Sequence, residues 1–233
     1  MRQHDSILRM PHLGAIVFDL DGTLVDSYEP ITDALNAARR DCGLAPVPLA
    51  RVKREVGHGL ANLVERHLGR ERLQRGIEIF RATYSDVLEH RTRAMPGARR
   101  VLTELHETGY AIGIASNKPA VFSERIVRCL GLSAAVRAVL GPDESIPPKP
   151  EPTMITRVRE LLGAPAARCC YVGDMPLDLE SGTAAGVETW LVIGGSATVS
   201  ELLACPGARV IPRLTALPHL LAHDPRRASG IPH

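Results

Sequence analysis

Aromatic residues are scarce in this chain of 233 residues, since Phe, Tyr and Trp together make up 3% of it. The formal net charge is also small, at +2. Nucleic-acid binding relies on stacking rings and a strongly basic surface, so both values argue against it and against an acidic membrane partner. No apolar run is long enough to cross a bilayer, and the polar residues 1–14 do not resemble a secretory signal. We therefore expect a cytoplasmic protein.

Cysteine is sparse as well, with five residues, an odd number, and no Cys-x-x-Cys pair. This pattern indicates neither a disulfide framework nor a zinc site, and we expect reduced, buried thiols. The length and a hydrophobic content of 45% allow one large core, or one core with a smaller satellite domain. Composition carries no signal for a particular oligomeric state.

The chain has two regions with different hydrophobic patterns. From residue 26 to about residue 94, apolar residues recur only at helical spacing, as at Ile31, Leu35 and Ala38, which predicts an all-helical segment. From residue 95 onward, strand-like runs alternate with helical patterns, which is typical of βαβ units in a parallel sheet. The predicted elements are helix 98–107, strand 111–115, helix 120–130, strand 136–140, helix 153–162, strand 169–172, helix 177–185 and strand 189–193.

The fold class that these patterns predict is α/β, a doubly wound and mostly parallel sheet with an inserted α-helical domain. The sheet domain would comprise residues 1–25 and 95–212, and the insertion residues 26–94, with linkers near residues 25–27 and 94–97. Beyond residue 212 the chain is rich in Pro, His and Arg, so residues 213–233 are predicted to form a disordered tail.

The most informative stretch is residues 18–25, where two carboxylates two residues apart, Asp19 and Asp21, end an apolar run. Residues 15–20 predict a buried parallel strand, and a strand places residues i and i+2 on the same side, so both acids are expected to point the same way. Gly22 permits a tight reversal at the carboxyl end of the strand, where open α/β sheets form their ligand crevice. A strand followed by an acidic turn is the alternative, but it leaves Asp19 unexplained.

Polar side chains also follow the later strands. Ser116 and Asn117 come after the strand at 111–115, where a hydroxyl, an amide and backbone N–H groups suit a phosphate as well as they suit an ordinary helix cap. Lys149 lies in a proline-rich turn and is one of only three lysines, against 25 arginines. This lysine indicates a need for a compact point charge, although a solvated loop lysine is the alternative.

Asp174 and Asp178 follow the strand at 169–172, where they could instead offset the positive end of the next helix. In a doubly wound sheet, the carboxyl ends of adjacent strands bring the polar residues into one crevice. That set is Asp19, Asp21, Ser116, Lys149, Asp174 and Asp178. Four carboxylates and one lysine are strongly self-repelling unless a cation joins them, and oxygen ligands suit a hard dication, most commonly Mg²⁺.

Four motifs occur in order on the expected elements: Asp-x-Asp-Gly-Thr, Ser-Asn-Lys, Lys-Pro-x-Pro and Gly-Asp-x-x-x-Asp. Together they resemble the haloacid dehalogenase superfamily, and specifically its phosphoglycolate phosphatase-like branch, which carries a helical cap after the first strand. The likeness covers residues 14–212. It implies a Rossmann-like core, a cap at residues 26–94, and a magnesium-dependent phosphatase that hydrolyses a small phosphomonoester metabolite such as phosphoglycolate.

The resemblance also implies roles for the residues. Asp19 is expected to be the nucleophile that forms an aspartyl phosphate, Asp21 the general acid and base, and Lys149 a catalytic contact to the phosphate. The metal ligands are expected to be Asp19, Asp21 and Asp174, and Asp178 is expected to support Lys149 or the metal shell. The expected substrate contacts are Gly22, Thr23, Ser116, Asn117, Lys149 and His58.

Elementary electrostatics supports these roles. A carboxylate that approaches a phosphate dianion meets a repulsion of about 1 kcal/mol at about 4 Å in water, and several times that in a drier site. A dication together with Lys149 would offset this repulsion, while Asp21 would protonate the leaving oxygen and later activate a water molecule.

Substrate choice is expected to depend on the insertion, since the sheet crevice recognises only the phosphoryl group. The cap loop at residues 57–59 is the best candidate for this contact, because two glycines break the helical pattern around His58. A solvated turn between helices is the alternative.

Other functions on this scaffold remain open. A sugar phosphomutase would release isomerised product without free phosphate. A phosphonate hydrolase would need a cap lysine for a Schiff base, and Lys53, the only lysine there, lies in no recognised motif. A metal-free dehalogenase would not need Asp21, and a non-catalytic binding protein would be expected to have lost at least one of the clustered acids.

Overall fold

A six-stranded sheet forms the centre of the protein, whose computed structural model describes residues 14–223. The strands are β1 (Gly14–Phe18), β2 (Val25–Asp26), β3 (Arg93–Ala94), β4 (Tyr110–Ala115), β5 (Val136–Leu140), β6 (Cys169–Gly173), β7 (Glu188–Val192) and β8 (Arg209–Ile211). The α-helices are α1 (Tyr28–Asp41), α2 (Leu49–Glu55), α3 (Leu60–Leu68), α4 (Leu73–Arg91), α5 (Ala98–Glu107), α6 (Ala120–Cys129), α7 (Thr153–Leu161), α8 (Pro176–Ala184), α9 (Val199–Leu203) and α10 (Leu217–Ala222).

The sheet has the strand order β5-β4-β1-β6-β7-β8, and each neighbouring pair is parallel. The first strand of the chain, β1, is therefore an inner strand with β4 on one side and β6 on the other. All five of its residues are buried, as expected of a parallel strand that is covered on both faces. The predicted α/β fold is confirmed.

Alternate residues of β1 pack into two different cores, because successive side chains of a strand point to opposite faces. Ile16 and Phe18 belong to the larger core, which also contains residues of α5, α6 and α10. Ala15 and Val17 belong to the smaller core, which contains residues of α7. With both faces occupied by apolar side chains, the polar residues collect where the strands end.

Helices α1 to α4 lie between β2 and β3, which pair with each other as an antiparallel ribbon. The two stretches predicted as linkers are thus partly paired strands, and Met95 N–H continues the ribbon by donating to Leu24 O at 2.9 Å. Apolar side chains of these helices, such as Leu35 and Leu88, belong to the larger core. The helical segment therefore packs on the sheet domain.

The carboxyl-terminal part differs from the predictions in two ways. The predicted elements end with the strand at 189–193, whereas a further strand, β8, extends the sheet beside β7. The predicted disordered tail contains α10, because Leu214, Leu217 and Leu221 recur at helical spacing and are buried in the larger core. The remainder of that predicted tail, residues 224–233, lies outside the described residues.

The structure also bears on two expectations from composition. None of the five cysteines forms a disulfide, but Cys129 is exposed, so the expectation that all of them are buried is wrong. Within residues 14–223, no helix combines the length and the apolar character needed to span a bilayer.

Replacing a leucine that holds α5 against the sheet is expected to destabilise the protein. Leu102 is 1% exposed, so Leu102→Ala should lower the free energy of unfolding by about 2–5 kcal/mol through lost burial and a residual cavity. The measurement is urea denaturation followed by circular dichroism. The matched control is Leu161→Ala on α7, where the side chain is 67% exposed and the change should stay within about 0.5 kcal/mol. Equal effects of the two substitutions would contradict this packing.

Candidate active site

Two acids meet where β1 and β6 end. Asp19 lies directly after β1 rather than within it, since the strand ends at Phe18. Its N–H donates to Val172 O of β6 at 2.8 Å, which fixes the loop against the neighbouring strand. Asp174 directly follows β6, and both aspartates are buried. The carboxyl edge of a parallel sheet thus brings together acids that are far apart in sequence.

Lys149 joins Asp19 to Asp178. Its ammonium nitrogen lies 2.9 Å from Asp19 Oδ1 and 2.7 Å from Asp178 Oδ1, and it donates to the Tyr171 hydroxyl at 2.9 Å. Burial opposes the charged form of Lys149, but Asp178 and Asp19 outweigh it and hold the pKa of Lys149 well above its usual value. Burial raises the pKa of Asp19 to about 6, an effect that Lys149 opposes and Asp178 reinforces.

Asp178 is fully occupied by donors from the protein. Its Oδ1 accepts from Lys149 and from the Tyr171 hydroxyl (3.1 Å), and its Oδ2 accepts from the N–H groups of Asp174 and Met175 (3.0 Å each). A carboxylate offers about four lone-pair positions, and these four donors use them. Asp178 therefore orients Lys149 and the loop that carries Asp174.

Asp174 is held by donors from two other loops. The Thr23 hydroxyl donates to Oδ1 at 3.1 Å, and Ser196 N–H donates to Oδ2 at 2.6 Å. Gly22 has a φ of +85°, and a Cβ there would come within 2.5 Å of Asp174 Oδ2, so only glycine fits this turn. Gly22 and Thr23 thus lie against Asp174, and their expected contact with substrate stays a prediction.

Asp19, Asp174 and Asp178 form a compact acidic group, in which one carboxylate oxygen of each lies within 4.8 Å of the others. Burial, and then the charges of Asp178 and Asp19, raise the pKa of Asp174 well above its usual value. Asp19 Oδ1 is buried and has no donor with good hydrogen-bond geometry among the described residues, although the Lys149 ammonium is close. These features fit a hard dication such as Mg²⁺, with Asp19 and Asp174 as the carboxylates that have lone pairs to spare.

The carboxylate of Asp21 is outside this acidic group. The Ser27 hydroxyl donates to its Oδ1, and the Lys118 ammonium lies 3.0 Å from its Oδ2. The strand ends before Asp19, so strand periodicity does not align the two carboxylates. Asp19 pairs with Lys149, whereas Asp21 pairs with Lys118. The Asp21 carboxylate therefore lies apart from the group that Asp19 forms with Asp174, and the expectation that Asp21 is a metal ligand stays a prediction.

Lys118 receives no role from the sequence motifs, yet it is a buried part of the site. Besides pairing with Asp21, its ammonium donates to the hydroxyl of Tyr84 on α4 at 2.8 Å. Burial opposes its charge, but Asp21 and Tyr84 outweigh this effect and raise the pKa of Lys118 above its usual value. The sequence does contain a signal for Lys118 as a site residue, because it is one of only three lysines and follows a strand.

Asn117 joins three segments through its side-chain amide. Nδ2 donates to Gly57 O (2.9 Å) and Lys149 O (3.2 Å), and Oδ1 accepts from Lys149 N–H at 2.7 Å. The side-chain amide of Asn117, a predicted substrate contact, thus holds the Lys149 loop and connects it to the loop between α2 and α3.

A pocket between the sheet domain and the helical segment contains both Asp19 and Asp21. Ser116, Asn117 and Lys118 line it from the sheet domain, and glycines 57 and 59 line it from the helical segment. The pocket therefore places a hydroxyl and a cation beside the two acids.

His58 does not line this pocket. It borders a separate surface pocket with Arg54 and Glu180, and burial followed by the positive charge of Arg66 lowers its pKa. Lys53 is also outside the acid-containing pocket, and its ammonium donates to Gly194 O at 3.2 Å. The expected contact between His58 and substrate thus has no support in this arrangement.

Comparisons with known proteins agree with the motifs. Residues 16–192 match the sequence model described as haloacid dehalogenase-like hydrolase. The chain is 32% identical over 222 residues to the phosphoglycolate phosphatase of Mesorhizobium japonicum, covering 92% of this chain and 97% of that protein. It is 36% identical over 184 residues to the phosphoglycolate phosphatase of Rhodospirillum rubrum, covering 74% and 76% respectively.

Solved structures share the fold. A haloacid dehalogenase-like family hydrolase from Streptococcus pneumoniae superposes with a TM-score of 0.81 at 19% identity, covering 89% of this chain and 98% of that one. CbbY from Rhodobacter sphaeroides, solved in complex with phosphate, superposes with a TM-score of 0.75 at 20% identity, covering 88% and 96%.

Removing the Asn117 amide is expected to loosen the site. In Asn117→Ala the Lys149 N–H and the Gly57 carbonyl lose their partner, so the free energy of unfolding should fall by about 1–3 kcal/mol, measured by urea denaturation. Asn62→Ala, on the exposed surface of α3, is the matched control and should change it by less than about 0.5 kcal/mol. A loss no greater than that of the control would contradict the joining role of Asn117.

Proposed function

The chain belongs to the haloacid dehalogenase-like hydrolase family and is a phosphoric monoester hydrolase, and from this premise we propose that it hydrolyses a small phosphomonoester with Mg²⁺ through an aspartyl phosphate. Relatives described as phosphoglycolate phosphatases support phosphoglycolate, or a metabolite of similar size, as the substrate. The observation that carries the proposal is one pocket in which Asp19 and Asp21 each have a separate buried lysine.

Asp19 is the proposed nucleophile. A carboxylate oxygen attacks phosphorus, the bond from phosphorus to the leaving oxygen breaks, and an aspartyl phosphate forms. Two features of the chain support this role: Asp19 borders the pocket, and its backbone is tied to β6. A fixed nucleophile reacts faster because its orientation is set before the substrate binds.

Asp21 is the proposed general acid and base. It would give a proton to the departing oxygen, and then take one from the water that attacks phosphorus and releases Asp19. Its carboxylate borders the same pocket and is oriented by Ser27 and Lys118, which supports a proton transfer at a defined position.

Positive charge near the transferred group is the remaining requirement. We propose Asp19 and Asp174 as carboxylate ligands of Mg²⁺, which would neutralise the phosphoryl oxygens and the nucleophile when bound. Lys149, oriented by Asp178, adds a second positive charge beside Asp19, and the Ser116 hydroxyl in the pocket can donate to a phosphoryl oxygen.

The helical segment is proposed to act as a cap over this site. Helices α1 to α4 are joined to the sheet domain by a single two-stranded ribbon, and their residues form one wall of the pocket. A cap in this position would exclude water from the aspartyl phosphate and contact the non-phosphoryl part of the substrate.

Replacing the nucleophile is expected to abolish turnover. Asp19→Asn should lower phosphate release from phosphoglycolate by roughly 1,000-fold or more, because an amide does not form the acyl phosphate. A colorimetric assay of inorganic phosphate with Mg²⁺ present measures it. Asp86→Asn, at an exposed position of α4, is the matched control and should keep wild-type turnover. Near-normal turnover by the Asp19 variant would refute the mechanism.

Loss of a ligand carboxylate is expected to weaken the metal site. Asp174→Asn should lower the affinity for Mg²⁺ at least about tenfold, because one of the two available carboxylates becomes a neutral amide. Isothermal titration calorimetry with MgCl₂ and no substrate measures the affinity directly, and circular dichroism verifies folding. Asp86→Asn again provides the control. An unchanged affinity in the Asp174 variant would exclude this residue from the metal site.

A further inference from the structure

The pocket that contains Asp19 and Asp21 has a largely apolar wall. The side chains come from α1, α3, α4 and α6, and they are Ile31, Leu60, Leu63, Phe80 and Phe122. Such a wall offers no partner to the several hydroxyls of a sugar, and burying unpartnered hydroxyls is unfavourable. The apolar wall therefore disfavours a sugar and favours a leaving group with few hydroxyls.

One cation interrupts this apolar surface. Of the described residues that line the pocket, only Lys118 is positively charged. The acidic residues of the lining are Asp19, Asp21 and Glu55, and Glu55 already contacts His67 and Arg51. Lys118 is therefore the protein cation that a negatively charged group entering the pocket would meet.

The position of Lys118 assigns it to one end of the substrate. It touches Asp21, the proposed proton donor to the leaving oxygen, so it lies on the leaving-group side. Lys149 instead touches Asp19 and Asp178, on the side where the phosphoryl group is transferred. The two buried lysines thus face different parts of the same ester.

The ammonium of Lys118 can accommodate a further acceptor. Its two partners among the described residues are Asp21 and the Tyr84 hydroxyl, and an ammonium carries three donor hydrogens. Tyr84 belongs to α4, so the ammonium and the hydroxyl form a polar pair at the boundary of the two domains. A carboxylate, with two acceptor oxygens and a full charge, fits such a pair better than a hydroxyl does.

We propose that Lys118, together with the Tyr84 hydroxyl, binds the carboxylate on the leaving group and thereby selects a carboxylate-bearing phosphomonoester over an uncharged ester of similar size. This inference rests on the proposed phosphatase function. It makes Lys118 a residue that determines specificity, distinct from the lysine beside the nucleophile. A bound carboxylate would also connect the sheet domain to α4, which favours the closed pocket only when the correct substrate is present.

The test compares two esters that differ only at the carboxylate, phosphoglycolate and ethyl phosphate. Phosphate release with Mg²⁺ is measured for the wild type, Lys118→Met and Tyr84→Phe. The wild type should prefer phosphoglycolate at least tenfold in kcat/KM. Each variant should reduce that preference at least severalfold, mainly through a higher KM for phosphoglycolate, whatever loss the two esters share. Lys53→Met, a lysine outside the pocket, is the control and should keep the wild-type preference.

Different outcomes separate this inference from the phosphatase function. Equal efficiency of the wild type on both esters, or equal losses on both esters in the Lys118 and Tyr84 variants, would overturn carboxylate recognition and leave the phosphatase intact. Release from p-nitrophenyl phosphate, but from neither short ester, would also overturn it. No release from any of the three esters would reject the phosphatase itself. If Lys118→Met does not fold, Tyr84→Phe carries the test, since it keeps the ring that packs on Phe80 and Phe122.

Discussion

The burial of opposite charges at the carboxyl edge of one parallel sheet is the constraint on which the site depends. Lys149 lies between Asp19 and Asp178 with almost no exposure to water, and each partner would be costly to bury alone. The excess of carboxylates over lysines in this group leaves negative charge that a bound cation would offset. The same buried carboxylates thus need compensating charge for stability and offer oxygen ligands to a cation.

The site is held together across the boundary between the helical segment and the sheet domain. Arg54 on α2 donates to the carbonyl of Ser196, and the N–H of Ser196 donates to Asp174. On the other side of the site, Asn117 connects the carbonyl of Gly57 to the Lys149 backbone. Movement of the helical segment would thus shift the positions of Asp174 and Lys149. Closure of the pocket and the geometry of the charged groups are therefore coupled through these hydrogen bonds.

Much of the fold could be predicted because its signals are local. The apolar run of β1, the alternation after residue 95 and the helical spacing of α1 to α4 each repeat over a short window. The tail that contains Leu217 is predicted to be disordered from its Pro, His and Arg content, a prediction that is wrong because three of its leucines are buried in the larger core beside α5. The helix becomes stable only when that apolar face has a partner.

The sequence by itself determined the α/β class and which acids and lysine follow the strands, because chain order and side-chain period are properties of the chain alone. Tertiary structure decided how those residues are paired: Lys118 with Asp21, Thr23 with Asp174, and Asn117 with the Lys149 loop. Such pairings depend on the positions of atoms from distant segments. No local sequence pattern specifies which of several nearby donors pairs with a given carboxylate. The same reason explains why His58, conspicuous between two glycines, lies outside the pocket that its neighbours line.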